Sequence, residues 1–173
     1  MITPNTVILF AQYKRWADQV LLNSLAELPP EELVKVRAGP LKNFIGILNH
    51  VHVIDRIWQG NILQREHGHK SRMEVPYPEF FDLYKAQEEM NEWFTSWAKQ
   101  QTEDSLAMPL DFHFLSGQPG NMTVGAMFLH VANHATFHRG WITQLYFEIP
   151  APPPVTDLCV YLTEVSCAAT LSC

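Results

Sequence analysis

Four long segments, whose apolar residues recur at the 3.6-residue period of an α-helix, constrain the fold most. They span about residues 6–28, 41–64, 78–101 and 123–147. Such periodicity indicates helices that bury one face against a shared core. Proline-rich stretches, "LPPEEL" and "EIPAPPPVTDL", separate them, because proline lacks an N–H and disfavours helix before it. The pattern predicts an all-α fold, an antiparallel four-helix bundle with a long crossover.

The stretch before the last segment has a different pattern. In "LDFHFLSGQPGNMTV", strand-forming residues flank a Gly/Pro/Asn turn, which predicts a small hairpin or an irregular crossover. Thr123 is then a suitable N-cap for the last helix. The end, "DLCVYLTEVSCAATLSC", is expected to add a strand or a short helix. We expect one domain over residues 1–164 and a tail over 165–173, for which disorder is one expectation.

Composition excludes several functional classes. The 173 residues suit one domain with a sizeable core, and the net charge is -6 without a Lys/Arg cluster, so nucleic-acid binding is not expected. Apolar runs stay below the ~18 residues of a membrane span, and the N-terminus lacks the features of a secretion signal, so we expect a cytoplasmic protein. Three cysteines near the C-terminus, without C-x-x-C spacing, argue against a disulfide framework or a cysteine zinc site.

The segment "FLHVANHATFHRGW" places His130, His134 and His138 four residues apart. Residues at this spacing lie about 40° apart around a helix, so two imidazoles can point at one metal ion, as in H-E-x-x-H helices. No glutamate lies between these histidines, so the metalloprotease motif is absent. Spacing alone does not choose between His130/His134 and His134/His138, and a third ligand must come from another element.

His50, in "ILNHVHVIDRIW", is the best candidate for that third ligand. It shares the inward face of its helix with Ile47 and Ile54, whereas His52 points elsewhere. His50 facing His134 and His138 would form a three-histidine metal site with positions open to water or substrate. The alternative is hydrogen-bonded core histidines, which is the commoner role for such a residue taken alone.

Several other residues have two interpretations each. Asp55 either orients a ligand or pairs with Arg139, although an ordinary ion pair is the favoured role. Arg139 either binds an anionic substrate or, as favoured, makes structural contacts. Trp16 and Trp58 are expected in the core, near the pocket mouth at most. Two further candidates are Tyr13 as a pocket hydroxyl and Asn133 as a hydrogen-bonding residue across the bundle.

The segments "LNHVHVIDRIWQG" and "LHVANHATFHRG" together resemble the DinB family (DinB/YfiT-like). The opening "AQYKRWADQVLLNSLAELP" and the closing "DLCVYLTE" also resemble members, so the similarity extends to about Glu164. It implies a four-helix bundle, commonly dimeric, with a divalent metal held by His50, His134 and His138. His130 then lies outside the ligand set. The chain departs from the family at Trp141, where Gln often follows H-R-G, which puts any role of that Gln in doubt.

The resemblance also implies zinc or nickel as the metal, although imidazole ligands suit iron as well. Related branches act as thiol S-transferases or thiol-dependent isomerases. One hypothesis is therefore a metal-dependent enzyme, a homodimer that activates a small-molecule thiol or a water for transfer to, or hydrolysis of, a small-molecule substrate. The others are a non-catalytic metal-binding or stress-related interaction bundle, and a bundle without metal.

Overall fold

The structure is a computed structural model that describes the backbone of residues 2–171 and the side chains of residues 2–165. It is mostly helical, with one small antiparallel sheet. The elements in chain order are α1 (Pro4–Ala26), α2 (Pro30–Val34), α3 (Phe44–Leu63), α4 (Phe80–Ala98), α5 (Glu103–Ala107), β1 (Pro109–His113), β2 (Pro119–Thr123), α6 (Val124–Tyr146) and α7 (Leu158–Leu171). Among the described residues, no helix has both the length and the apolarity needed to cross a membrane.

The four predicted long helices are present as α1, α3, α4 and α6. Their starts follow local side-chain chemistry: Thr3 caps α1, Asn43 caps α3, and the Thr123 hydroxyl accepts a hydrogen bond from the Ala126 N–H at 3.3 Å. The predicted Thr123 cap is therefore confirmed. The α1 helix packs against α4 and α6, and α3 packs against the same two helices.

The connections differ in part from the expectation. The hairpin forms, with Phe112 opposite Gly120, so the irregular crossover is wrong. A Cβ at Gly120 would lie 2.5 Å from the Phe112 ring, so glycine is required for this ring to pack across the strand. "LPPEEL" ends α1 as expected, but Pro30 also begins α2, because proline is well suited to a first helical turn.

The C-terminal segment forms a helix and not a strand. It begins at Leu158 and continues through the expected tail to Leu171. The last two residues of that tail lie outside the described residues. The single domain over residues 1–164 stays a prediction.

Two apolar clusters fill the ends of the helix assembly. One takes residues from the N-terminal parts of α1 and α6 and the C-terminal parts of α3 and α4, and the other takes the opposite ends. The α1 and α6 helices therefore run in one direction, while α3 and α4 run in the other. The parallel pair α3 and α4 requires the long connection over residues 64–79, which passes close to the site described below.

A buried polar layer separates the two clusters. At its centre the Lys14 ammonium donates to Asp18 at 2.9 Å, to Asp55 at 2.7 Å and to Asn91 at 2.7 Å. Burial alone would lower the pKa of Lys14, but the carboxylates of Asp18 and Asp55 outweigh it and raise the pKa. Lys14 therefore stays charged and joins α1 to α3 and α4.

Arg139 extends this layer to α6. Its guanidinium donates to Asp18 at 3.0 Å and to the Thr136 hydroxyl at 2.8 Å. The expected pairing of Asp55 with Arg139 is wrong, because Lys14 is the ion-pair partner of Asp55 and Asp18 is that of Arg139. The structural roles that were favoured for Asp55 and Arg139 are confirmed.

Replacement of Lys14 by Met should lower the free energy of unfolding by about 3–5 kcal/mol, because the buried carboxylate of Asp55 loses its ion-pair partner and that of Asp18 keeps only Arg139. The neighbouring Arg15 pairs with Glu92 at 3.2 Å, but both side chains are about half exposed, so Arg15→Met should cost less than about 1 kcal/mol. Urea denaturation of both variants measures the difference. Equal losses of unfolding free energy in the two variants would show that the buried contacts of Lys14 stabilise the fold no more than an exposed ion pair does.

Candidate metal centre

Three histidines from α3 and α6 meet at one point. His50, His134 and His138 each offer a ring nitrogen, and these nitrogens lie within 4.8 Å of one another. The ring centroids are 5.1 Å apart for His50 and His134, 4.6 Å for His50 and His138, and 4.4 Å for His134 and His138. Helical spacing left two histidine pairs open on α6, and the resemblance to a known family implied His134 and His138. These are the two that meet His50, and the three together could hold a metal ion.

A backbone contact sets the tautomer of His50. Its Nδ1 lies 2.7 Å from the Arg72 carbonyl oxygen, which only accepts, so Nδ1 must carry the proton. Nε2 then carries the lone pair and can act as an acceptor or a metal ligand, and it lies 3.2 Å from Nε2 of His134. Two nitrogens bound to one tetrahedral zinc at about 2.0–2.1 Å would be about 3.3 Å apart. The spacing of His50 and His134 therefore fits two ligands of a zinc-like ion, and the ligand nitrogen of His138 lies within 4.8 Å of both.

Burial keeps all three rings in the neutral form that ligates metals. It lowers the pKa of His134 to about 2, with the nearby His138 and His50 adding to the effect. It also lowers the pKa of His138 to about 4 and, against the opposing hydrogen bond to Arg72, the pKa of His50. The Nδ1 atoms of His134 and His138 are buried and have no hydrogen-bond partner among the described residues.

Asn49 positions the loop that supplies the Arg72 carbonyl. Its side-chain amide donates to the Tyr77 carbonyl oxygen at 2.8 Å, and its carbonyl accepts from the Tyr77 N–H at 2.9 Å. This two-bond clamp ties the connection over residues 64–79 to α3, one residue before His50. The sequence analysis missed Asn49, although an amide side chain on the buried face of a helix is a signal that a partner is needed.

His130 lies one turn before His134 on α6 but outside the cluster. Its ring centroid is 5.8 Å from that of His134 and 4.7 Å from that of Trp58. Burial lowers its pKa as well. His130 therefore forms part of a wall beside the three histidines and is not one of the three that meet.

The histidines open into a cleft of about 970 Å³. Its walls come from α3, α6, the loop after α3 and the hairpin. Trp58 and Trp141 are both among them, and Trp141 stacks on His138 with ring centroids 5.8 Å apart. The described side chains that line this cleft also include Ile54, Ile57, Lys70, Arg72, Met73, Phe112, Phe114, Leu115, His130 and Phe137.

Three other candidates lie away from this cleft. The Tyr13 hydroxyl donates to the Thr156 carbonyl oxygen at 2.8 Å, so the pocket-hydroxyl interpretation is wrong. Trp16 packs against Tyr161 of α7 and is a packing residue, as expected. Asn133 is exposed to solvent, so the expected hydrogen bond across the bundle is wrong. Trp58 lies in the apolar core, as expected, and also faces the cleft.

Comparison with known protein families gives a match for this chain. The model of the DinB family matches residues 1–165, which is nearly the whole chain. The chain belongs to the DinB family. The resemblance carried by the two histidine segments is thereby confirmed.

Two known proteins are similar to this chain. Protein DinB of Bacillus subtilis (strain 168) is 27% identical over 156 residues, which cover 87% of this chain and 90% of that protein. The crystal structure of a DinB-like protein from Bacillus cereus ATCC 10987 aligns with a TM-score of 0.65 at 20% identity, over 89% of this chain and 97% of that chain. This second similarity shows a shared fold.

Replacement of His134 by Ala should weaken metal binding by more than about 100-fold, because the loss of a direct ligand exceeds the 10- to 100-fold cost of losing an outer-shell partner. The matched control is His130→Ala, one turn away on the same helix, which should keep the wild-type affinity. Calorimetric titration of untagged protein with zinc and nickel measures both. Weaker binding in both variants would place the ion elsewhere along the face of α6 that carries the histidines.

Replacement of Asn49 by Ala should weaken metal binding by roughly tenfold, because the Arg72 carbonyl would no longer be held against His50. The control is Asn91→Ala, which also removes a buried amide but from the Lys14 layer. That variant should lower the thermal midpoint and leave metal affinity unchanged. The same titration, combined with thermal unfolding, separates the two effects, and unchanged affinity in Asn49→Ala would exclude the positioning role.

Proposed function

We propose that the chain is a metal-dependent enzyme in which His50, His134 and His138 hold one divalent ion. Zinc or nickel is the expected metal, with iron as a further candidate. The observation that carries the proposal is the convergence of three neutral imidazoles, one with its tautomer fixed by Arg72, at a large cleft. Three protein ligands leave a coordination position for a reactant, which distinguishes catalytic from structural sites.

An ion held there would supply Lewis-acid chemistry, making a thiol or a water in the cleft more acidic. The residues of the chain have complementary tasks. The Arg72 carbonyl keeps His50 in the ligating tautomer, and Asn49 keeps that carbonyl in place. Trp141 packs against His138 and limits the directions from which solvent reaches the site.

The activated group could be a thiol, as in an S-transferase, or a water, as in a hydrolase. The residues that line the cleft favour the thiol. Apart from histidines, the charged residues that line it are Lys70 and Arg72, both basic. A hydrolase would need a base near the attacking water, and in H-E-x-x-H enzymes a glutamate has that role. Ala135, Thr136 and Phe137 occupy the corresponding positions here. We therefore favour an S-transferase type of reaction over hydrolysis.

We propose that this thiol is a small molecule. Cys159, the free cysteine whose side chain the structure describes, lies on α7 and does not line the cleft. The thiolate is the nucleophilic form of a thiol, so lowering the pKa of a bound thiol increases its reactivity at neutral pH. A second small molecule, carrying an electrophilic centre, would be the acceptor.

We further propose that the helices form an antiparallel four-helix bundle, with α1 against α4 and α3 against α6 as the antiparallel pairs. The homodimer implied by the family resemblance and the cytoplasmic location expected from the sequence stay predictions.

The proposal predicts metal-dependent turnover. Metal-loaded protein is assayed with a panel of low-molecular-weight thiols and a chromogenic aryl-halide electrophile, and with an activated ester for the water reaction. His134→Ala should lose at least about 100-fold in rate, because the Lewis acid supplies several kcal/mol of transition-state stabilisation. The surface variant Arg15→Met should keep the wild-type rate.

Equal rates for the wild type and His134→Ala would contradict an enzymatic role of the metal. Full metal occupancy without turnover on any thiol, electrophile or ester would instead favour the non-catalytic metal-binding bundle.

A further inference from the structure

Two groups of aromatic rings line the cleft that contains the histidines. Trp58, Phe112 and Phe114 form a continuous series, with centroid distances of 5.0 Å and 4.9 Å between successive rings. The α6 helix contributes Phe137 and Trp141. Phe137 is 67% exposed and Phe114 is 49% exposed, although both are large apolar side chains. Exposed aromatic residues around a concave surface indicate a binding site for an apolar group.

The charge of the cleft is opposite to that of the chain. The protein carries a net charge of -6, yet among the described residues, and apart from histidines, Lys70 and Arg72 are the only acidic or basic residues that line the cleft. Both are exposed, and neither side chain has a hydrogen bond or ion pair among the described residues. A basic rim of this kind attracts anions and raises their local concentration.

Glu74 is a carboxylate residue of the same loop, and it does not line the cleft. Glu74 accepts hydrogen bonds from the backbone N–H groups of Lys70 and Ser71, at 2.7 Å and 2.8 Å, and its other oxygen pairs with His69 at 2.7 Å. The Glu74 carboxylate is thus fully engaged within the loop. Lys70 and Arg72 are left to face an external anion.

We propose that the substrate of this cleft is an organic anion with an aromatic body. The aromatic part of the substrate packs against the rings of Trp58, Phe112, Phe114, Phe137 and Trp141, and its anionic group lies at Lys70 and Arg72. This inference rests on the proposed function, since it names the substrate class of the same site. A divalent ion at the histidines would add positive charge below the rim, which favours the same class.

A matched pair of fluorescent probes tests the two parts separately. Anilinonaphthalene sulfonate is an aromatic anion, and N-phenylnaphthylamine has the same ring system without the sulfonate. Both are titrated into metal-loaded protein. Lys70→Gln combined with Arg72→Gln should weaken binding of the sulfonate by roughly fivefold or more, as expected for two exposed charges, and should leave the neutral probe unchanged. Added salt should weaken only the sulfonate.

The control for charge is Lys85→Gln combined with Lys99→Gln, two exposed lysines on α4 and at its end that do not line the cleft. It changes the net charge equally and should leave both affinities unchanged. Phe137→Ser should weaken both probes, because it removes apolar contact area. Equal effects of the two charge variants, or no effect of Phe137→Ser, would overturn the inference.

Metal content, measured on each variant in parallel, separates this inference from the proposed function. Normal metal content with no selectivity for the anion would overturn the substrate class alone. Anion selectivity that follows the expected variant pattern in a protein without metal affinity would overturn the proposed metal centre, while the cleft would keep its predicted specificity.

Discussion

The buried contact between Lys14 and its carboxylate partners is the constraint on which the arrangement of the helices depends. Hydrophobic burial has no directional preference, whereas a buried charge requires its partner at one place. Lys14 joins α1 to α3 through Asp55, and Asp18 joins α1 to α6 through Arg139. These contacts lie between the two apolar clusters. They therefore fix how far α1, α3 and α6 are shifted along their axes relative to one another.

The same axial alignment of α3 and α6 brings His50, His134 and His138 together. Arg139 directly follows His138, and successive helical residues point about 100° apart. When Arg139 points inward to Asp18, His138 is turned towards α3. On α3, Asp55 follows His50 by five residues, which separates the two side chains by about 140° around the helix. Structural charges and candidate metal ligands thus lie on different faces of the same two helices, and one axial alignment serves both.

The features that depend on a local sequence pattern could be predicted from the sequence. The four long helices, the hairpin, the Thr123 cap and the inward face of His50 all follow from periodicity and turn chemistry. The spacing of the α6 histidines left two pairs open. The resemblance to the DinB family implied His134 and His138, and these are the two that meet His50 in the structure. Actual ligation of a metal by them stays a prediction.

Contacts between distant segments could not be predicted in the same way. Lys14 lies within the apolar stripe of the first segment, but periodicity does not reveal which carboxylate it meets, and the pairing of Asp55 with Arg139 was therefore wrong. The Arg72 carbonyl acts through the backbone, so its side-chain identity carries no signal. The basic rim of the cleft arises because Glu74 folds back on its own loop, which depends on a tertiary conformation and not on composition. A chain that is acidic overall can in this way present a local surface of the opposite charge to a ligand.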